Sequence, residues 1–234
     1  MGAEAAGVEA AGVVAAGVEA AGVEAAGAEA AGAEAAEPSS RVLATGRSQI
    51  YVSRGGDKLA FALEYFGVDP SERLAIDLGS NVGGFVDCLL RHGASRVWSV
   101  DTSYGTLDWG LRNDPRVSVH ERTNALHFEP EQRPVDLITI DVGWTGQRRV
   151  LPRAIDWVRS GGCILSLVKP QYEAQRSELQ KGKVRPEFLE TVLQRVQEGV
   201  CDLGFPQFGW VESPLGGGKR NREFWLYLTP RTIG

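Results

Sequence analysis

The strongest constraint on the fold is one short segment, which has the sequence AIDLGSNVGGF at residues 75–85. An apolar run typical of a buried strand is followed there by a glycine-rich turn and then by the start of a helix. Strand–turn–helix units of this kind build parallel sheets with helices on their faces. The simplest alternative is an ordinary strand-to-helix turn that needs small residues and binds nothing.

Carboxylates on two successive predicted strands suggest that this turn binds a nucleoside. Asp77 lies near the end of the first strand, and Asp101 directly follows the next apolar run, residues 96–100. Glycines let the backbone approach a ligand, the helix N-terminus offers free N–H groups, and the second acid can accept hydrogen bonds from ribose hydroxyls. The spacing D-x-G-x-x-x-G-G is looser than the G-x-G-x-x-G of a dinucleotide site. It therefore favours S-adenosylmethionine, which lacks a pyrophosphate, over NAD.

The N-terminal part of the chain has a very different composition. Residues 1–37 are almost entirely Ala, Gly, Val and Glu, and glycine recurs at every fifth position from Gly2 to Gly32. This period matches neither a helix nor a strand, so we predict a low-complexity Ala/Gly/Glu tail over residues 1–40 that is disordered or weakly helical. The tail lacks the basic residues that a signal or transit peptide carries, and it has no apolar run long enough to span a membrane. A start codon placed upstream of the true one is an alternative explanation.

The acidic tail hides the charge of the rest of the chain. The sequence has 25 basic and 30 acidic residues, and seven of the acids are glutamates of the tail, which has no Lys or Arg. The remainder therefore carries 25 bases against 23 acids. A slightly basic domain is compatible with binding to nucleic acid but does not establish it.

The cysteines give no sign of metal or redox chemistry. Cys88, Cys163 and Cys201 stand singly in apolar surroundings, and no C-x-x-C pair is present. Isolated thiols of this kind are typical of buried residues in a reducing cytoplasm. We therefore expect a cytoplasmic protein without a metal site.

Residues 45–234 are predicted to form one α/β domain. Strands are predicted at 74–78, 96–100, 117–120, 135–140, 162–168, 206–212 and 222–228, and helices at 58–66, 83–91, 104–112, 148–158 and 187–203, with a basic loop at 170–186. Alternating strands and helices indicate a mostly parallel Rossmann-like sheet, and the last two strands indicate a hairpin with an antiparallel C-terminal strand. That is the seven-stranded arrangement of S-adenosylmethionine-dependent methyltransferases, in which ligands bind at the C-terminal edge of the strands.

Four charged residues are candidates for the chemistry at that edge. Asp141 and Lys169 follow the fourth and fifth strands, and Lys58 and Glu223 stand in apolar-flanked positions. If they converge, they form a neutral tetrad beside the methyl group of the cofactor. A ribose hydroxyl must lose its proton as it attacks, and a lysine can accept that proton only if desolvation or a second cation keeps it neutral. Taken singly, each residue could instead be a solvated strand cap or a surface partner, as Glu223 could be for Arg222.

Several further motifs resemble one known family. In chain order they are YVSRGGDKL at 51–59, DLGSNVGGF at 77–85, DTSYG at 101–105, ERTN at 121–124, IDV at 140–142, LVKPQYE at 167–173, KGKVR at 181–185 and NREF at 221–224. On these motifs the chain resembles the FtsJ-like RNA 2′-O-methyltransferases over about residues 50–228, and most closely their TlyA (hemolysin A) branch. The resemblance implies an FtsJ-like methyltransferase domain over residues 45–234.

The resemblance also implies roles for particular residues. The family's Lys-Asp-Lys-Glu tetrad falls on Lys58, Asp141, Lys169 and Glu223, with Lys169 as the base for the ribose hydroxyl. Asn124 falls in the segment that lines the adenine pocket. The residues expected to bind S-adenosylmethionine are Asp77, Gly79, Gly83, Gly84, Phe85, Asp101, Asn124 and Asp141.

Basic loop residues form the candidate RNA-binding surface, because lysine and arginine contacts to phosphates supply affinity for nucleic acids. Tyr172 could stack on a base, as aromatic side chains do when proteins bind single strands. Ordinary solvated loop charges are the alternative. The basic candidates are Arg54, Arg176, Lys181, Lys183, Arg185, Lys219, Arg220 and Arg222.

Two features depart from the TlyA branch. That branch normally carries an N-terminal S4 RNA-binding domain, where this chain has the low-complexity tail, and residues 142–146 read VGWTG in place of the usual Ser-Phe-Ile-Ser. We expect an S-adenosylmethionine-dependent ribose 2′-O-methyltransferase that acts on ribosomal RNA or a ribosomal subunit, with no membrane partner. One alternative is a catalytically silent, methyltransferase-like RNA-binding or ribosome-assembly factor. The other is a membrane-active hemolysin, which only the name of the branch suggests.

Overall fold

The computed structural model describes residues 50–205, 208–215 and 221–230. The predicted tail, residues 1–40, and the basic pair Lys219 and Arg220 lie outside these residues. The helices are α1 Arg54–Phe66, α2 Gly84–Arg91, α3 Trp109–Arg112, α4 Gln147–Ile155, α5 Pro170–Glu173 and α6 Pro186–Asp202. The strands are β1 Leu74–Leu78, β2 Arg96–Val100, β3 Val117–His120, β4 Val135–Ile140, β5 Val158–Val168, β6 Leu179–Gln180, β7 Lys183–Val184, β8 Gly209–Glu212 and β9 Phe224–Leu228.

Seven of the strands form one sheet in the order β3-β2-β1-β4-β5-β9-β8. The first five strands pair in parallel, and β9 pairs antiparallel with β5 on one side and β8 on the other. Both faces are covered, and the residues of the central strands β1 and β4 are accordingly almost all buried, as in other layered folds with parallel sheets. The predicted fold class, a mostly parallel Rossmann-like sheet with a C-terminal antiparallel strand, is confirmed.

Buried aromatic residues mark the two layers of core. Trp98 and Trp157 belong to the core on one face of the sheet. Phe85 and Trp225 belong to the core on the other face, where their rings stack at 5.6 Å. Because both core layers pack closely against the strands, the C-terminal ends of β1, β2, β4 and β5 are held at one edge of a rigid sheet.

Three local predictions were wrong. The helix expected over residues 104–112 is only the single turn α3, because the preceding residues form a loop and Asp108 caps the turn through Gly110 N at 2.8 Å. The loop expected at 170–186 contains α5, a 3₁₀ turn and the hairpin β6–β7. Lys181 and Gly182 both have positive φ, at 50° and 76°, which is the geometry of a tight two-residue hairpin turn. Cys201, expected to be buried, is exposed on α6.

Close packing of α1 on α2 positions Lys58. A Cβ on Gly84 would lie 2.2 Å from Ser53 Oγ and 2.8 Å from Gly56 N, so only glycine lets the two helices approach this closely. Asp87 on α2 accepts a hydrogen bond from Val52 N at 2.9 Å, just before α1 begins. These contacts fix the N-terminal turn of α1, and Lys58 follows in the next turn.

Candidate active site

Two ion pairs lie at the C-terminal edge of the sheet. Lys169 Nζ is 2.5 Å from Asp141 Oδ1, and Lys58 Nζ is 2.5 Å from Glu223 Oε2. All four side chains are largely but not completely buried. Within each pair the charges cancel, so the cluster is neutral overall and costs less to desolvate than isolated charges would.

The strand register joins the two pairs. Val168 on β5 is paired with Phe224 on the antiparallel β9, so Lys169 and Glu223 lie directly beyond the last pair of this ladder. Residues at such positions are close neighbours across the sheet. The structure therefore brings together Lys58, Glu223, Lys169 and Asp141, which are separated by up to 165 residues along the chain.

Asp101 is oriented by the ends of two loops. Its Oδ2 accepts a hydrogen bond from Asn81 N at 2.8 Å, and its Oδ1 accepts from both Ser103 N at 2.7 Å and Ser103 Oγ at 2.6 Å. Asn81 belongs to the glycine turn after β1, so this carboxylate and the turn form one unit. A carboxylate has about four lone-pair sites, which leaves Asp101 capacity to accept from a ribose hydroxyl.

Asp77 lies beneath the glycine turn and is fully buried. Its Oδ1 accepts from Thr139 Oγ1 at 2.7 Å, whereas its Oδ2 has no hydrogen-bond donor in the part of the chain that the structure describes. Desolvation by burial raises the pKa of this carboxyl to about 7, against the opposing effect of the hydrogen bonds from Thr139 and Ser80. Asp77 is thus poised to take up a proton or to meet a cationic group.

The donor and acceptor set fits S-adenosylmethionine. The unpaired buried oxygen of Asp77 suits the ammonium group of such a ligand, and the remaining lone pairs of Asp101 suit its ribose diol. Asn124 is exposed and lies near Asp101, because the adjacent Thr123 N donates to Asp101 O at 2.9 Å. Asp77 would thus hold the amino-acid end of the cofactor, and Asp101 and Asn124 would hold its adenosine end.

Glycine is needed at the predicted positions chiefly because the protein's own atoms leave no room there for a side chain. Gly79 has a φ of +94°, and a Cβ there would lie 2.5 Å from Asp141 O. A Cβ on Gly83 would lie 2.4 Å from Leu111 Cδ1, and Gly84 is crowded by α1. The glycine pattern thus brings the end of β1 against Asp141, and it does not by itself require a nucleoside.

Phe85 does not face the site. Its side chain is 4% exposed and stacks on Trp225 in the core, so the expectation that it lines the cofactor site is wrong for the side chain. The apolar character of this position comes from helix packing, which the sequence pattern cannot separate from ligand contact.

The sequence did not reveal an aromatic pair beside Lys169, which the exposed Trp144 and the half-buried Tyr172 form. Trp144 is 88% exposed, has a φ of +60°, and lies with its ring centroid 5.2 Å from that of Tyr172. The Tyr172 centroid is 6.0 Å from Lys169 Nζ. A left-handed conformation is a rare one for a bulky residue, and such outliers cluster at functional sites. The signal was the unusual VGWTG segment, which by itself shows only a departure from the TlyA branch.

The basic candidates for RNA contact divide into two groups. Arg176, Lys181 and Lys183 are exposed on the 3₁₀ turn and the β6–β7 hairpin, while Arg54 is half-buried on the first turn of α1. Two further candidates, Arg222 and Arg185, lie beside acidic side chains, and Arg222 forms a bidentate pair with Glu212 at 2.7 and 2.5 Å. Arg185 lies 3.3 Å from Glu187 and stacks over the Phe188 ring. The second group is therefore partly neutralised, a feature that residue spacing alone did not reveal.

The sheet order, with its last strand inserted antiparallel beside β5, and the acids at the ends of β1 and β2 define a Rossmann-like methyltransferase. The family is equally clear. The chain belongs to the FtsJ-like methyltransferases, whose family description matches residues 51–229. This confirms the family predicted from the motifs.

A named relative and two solved structures agree with that assignment. The 16S/23S rRNA (cytidine-2′-O)-methyltransferase TlyA of Mycobacterium tuberculosis is 37% identical over 205 residues, which cover 84% of this chain and 75% of the relative. A solved protein named as a hemolysin, from Streptococcus thermophilus, is 37% identical with a TM-score of 0.73, covering 79% of this chain and 68% of its own. A second such structure, from Lactococcus lactis, is 33% identical with a TM-score of 0.72, covering 78% and 89%.

Within residues 50–205, 208–215 and 221–230, no helix has the length and apolar character needed to cross a bilayer.

Proposed function

We propose that this chain transfers a methyl group from S-adenosylmethionine to a ribose 2′-hydroxyl of ribosomal RNA. The observation that carries the proposal is the cluster of two Lys–carboxylate pairs at the sheet edge, next to the turn that orients Asp101. The Mycobacterium tuberculosis relative is named as an rRNA methyltransferase, which supports ribosomal RNA as the substrate class. A substrate in ribosomal RNA would place the enzyme in the cytoplasm.

The bound cofactor would supply an electrophilic methyl group, and the chain's residues would do the rest. Asp101 would hold the ribose diol of the cofactor, and Asp77 would face its ammonium end. Lys169, when neutral, would accept the proton of the RNA hydroxyl through Nζ, which Asp141 fixes in place at 2.5 Å. Lys58 and Glu223 would keep the second charge pair alongside and exclude water from the attacking oxygen.

RNA would approach over the same edge. The exposed basic side chains of the β6–β7 hairpin and the 3₁₀ turn would contact phosphates; they are Arg176, Lys181 and Lys183. The pair formed by Trp144 and Tyr172 would stack on an unpaired base beside Lys169. A base held there would bring its own ribose towards the Lys169–Asp141 pair.

The direct test is mass spectrometry of nucleosides from ribosomal RNA incubated with the purified protein and labelled S-adenosylmethionine. The wild type should form 2′-O-methylated nucleosides, and Lys169→Ala should form none. Arg159→Ala is the matched control, because it removes an ion pair with Asp136 away from the proposed site and should leave the product unchanged. RNA binding by the wild type without any methylated nucleoside would instead support a silent assembly factor.

A further inference from the structure

The loop that carries Asp101 is joined to the end of the neighbouring strand β3 through one largely buried carboxylate, that of Glu121. Its Oε1 accepts hydrogen bonds from Gly105 N at 2.8 Å and from Arg112 Nη2 at 2.5 Å. The Glu121 side chain is only 10% exposed. The hydrogen bond from Arg112 is the main cause that lowers the pKa of this carboxyl, so it is ionised at neutral pH.

The same two loops make further direct bonds around Glu121. Arg122 N donates to Ser103 O at 3.0 Å, and Thr123 N donates to Asp101 O at 2.9 Å. The Arg122 guanidinium stacks 4.2 Å from the Tyr104 ring centroid. The loops after β2 and β3 are therefore held together by several contacts, one of which runs through the Glu121 carboxylate.

We propose that Glu121 and Arg112 are positioning residues for the adenosine site. Neither residue would touch the cofactor. Their pair holds residues 103–105 in the conformation in which Ser103 donates twice to Asp101, so the carboxylate is already oriented before the ligand arrives. Pre-organisation of this kind raises affinity by removing the cost of ordering the loop on binding.

Glu121 would act on the adenosine site through this link. Without it, Gly105 N and Arg112 would lose their common acceptor, and the Ser103–Asp101 bonds would have to hold the loop alone. A lost hydrogen bond to a charged group would then weaken binding by about tenfold. The catalytic cluster at the ends of β4 and β5 is built from other residues and would stay intact.

This inference rests on the proposed function, because it assumes that Asp101 binds the adenosine ribose. The test is calorimetric binding of S-adenosylhomocysteine and S-adenosylmethionine to the full chain carrying Glu121→Gln, Arg112→Gln or both. Each single change should raise both dissociation constants about tenfold, and the double change should add little more, because the two residues form one link. The constant for RNA binding and the turnover at saturating cofactor should not change.

The two ligands separate positioning from simple charge attraction. S-adenosylmethionine carries a sulfonium charge that S-adenosylhomocysteine lacks, so loss of a distant carboxylate charge alone would weaken only the former. Equal weakening of both supports positioning, and weakening confined to S-adenosylmethionine overturns it.

A matched control lies at the opposite end of β3. Asp114→Asn breaks the pair with Arg116, which measures 2.7 Å and joins residues just before that strand. It should lower the melting temperature to a similar extent without changing either dissociation constant.

If Asp101→Ala weakens binding and the Glu121 and Arg112 variants do not, the inference alone is wrong. If the wild type binds neither ligand, the proposed function falls with it. Should Glu121→Gln fail to fold, Arg112→Gln alone decides, since it leaves Glu121 bonded to Gly105 N.

Discussion

Lys169 illustrates how a single side chain can separate two mechanisms. Arginine in its place would keep the positive charge and the Asp141 partner, but a guanidinium stays protonated at any working pH and cannot accept a proton. Lys169→Arg should therefore reduce turnover by at least about a hundredfold, the usual contribution of general base catalysis. Binding of S-adenosylhomocysteine, measured by calorimetry, should persist.

Near-wild-type turnover of Lys169→Arg would contradict this role. Lys169 would then act only as an electrostatic clamp, and the hydroxyl proton would leave through water. The Arg159→Ala variant again controls for the loss of an unrelated ion pair.

The buried Asp77 leads us to expect that the stability of the folded protein depends on pH. The pKa of this buried carboxyl is raised from 3.8 to about 7, so the ionised form is disfavoured in the folded state. The stability that its neutral form contributes is fully present below pH 4 and is lost as the pH rises towards 7. Asp77→Asn keeps an acceptor for Thr139 and cannot ionise, so it should melt at a higher temperature than the wild type at pH 8, with a difference that shrinks as the pH falls.

The same variant should bind S-adenosylmethionine less tightly, because a neutral amide cannot pair with an ammonium group. Stability gained together with affinity lost is the usual relation at a functional site. A melting difference that is the same at pH 5 and pH 8 would show that ionisation of Asp77 is not involved.

At the scale of elements, the β6–β7 hairpin is the clearest candidate for an RNA-binding arm. It is anchored by Glu178, which is buried, caps Gln175 N at 2.6 Å and pairs with Arg195 of α6 at 2.7 and 3.1 Å. Asn221 Nδ2 also donates to Gly182 O at 3.2 Å. The arm is thus fixed to the body of the domain before any RNA is present.

Neutralising the arm should change the salt dependence of RNA binding. Each phosphate contact contributes a slope of about 0.7 in a plot of log affinity against log salt concentration for single strands. Arg176→Gln and Lys181→Gln should each reduce the slope by about that amount, measured by fluorescence anisotropy over a salt series. Arg148→Gln, which removes an exposed pair with Asp202, is the control and should leave the slope unchanged. Slopes equal to that of the wild type would exclude this hairpin as a phosphate-binding surface.

For the whole molecule, deletion of residues 1–40 tests the predicted tail. The FtsJ-like match begins at residue 51, and the tail sequence has no periodicity with which to pack. The shortened chain should keep its melting temperature and its rate of methyl transfer. A large drop in melting temperature, measured by calorimetry, would show that the tail contributes to the folded domain.

The sequence predicted the fold well because apolar runs and glycine turns specify buried strands directly. β1, β2, β3 and β4 lie where they were expected, since each is a short apolar run bounded by clear breakers. Asp141 and Lys169 drew attention because each directly follows an apolar run, whereas Lys58 and Glu223 were assigned from the family motifs. The division of the tetrad into Lys58–Glu223 and Lys169–Asp141 could not be recognised, because it depends on the pairing of β5 with β9. The sequence did not reveal that the Phe85 side chain is buried and that of Trp144 is exposed, because hydrophobicity alone does not show whether a side chain faces the core or the solvent.

The position of β9 has a consequence for the order in which the enzyme can be completed during synthesis. Among the strands that the structure describes, β9 leaves the ribosome last, yet it occupies an interior place in the sheet, between β5 and β8. A nascent chain that ends after β8 therefore lacks an interior strand, and it also lacks Glu223, the partner of Lys58. Both the sheet and the charge balance of the site close in the same final step, so a prematurely terminated chain would be neither well folded nor active.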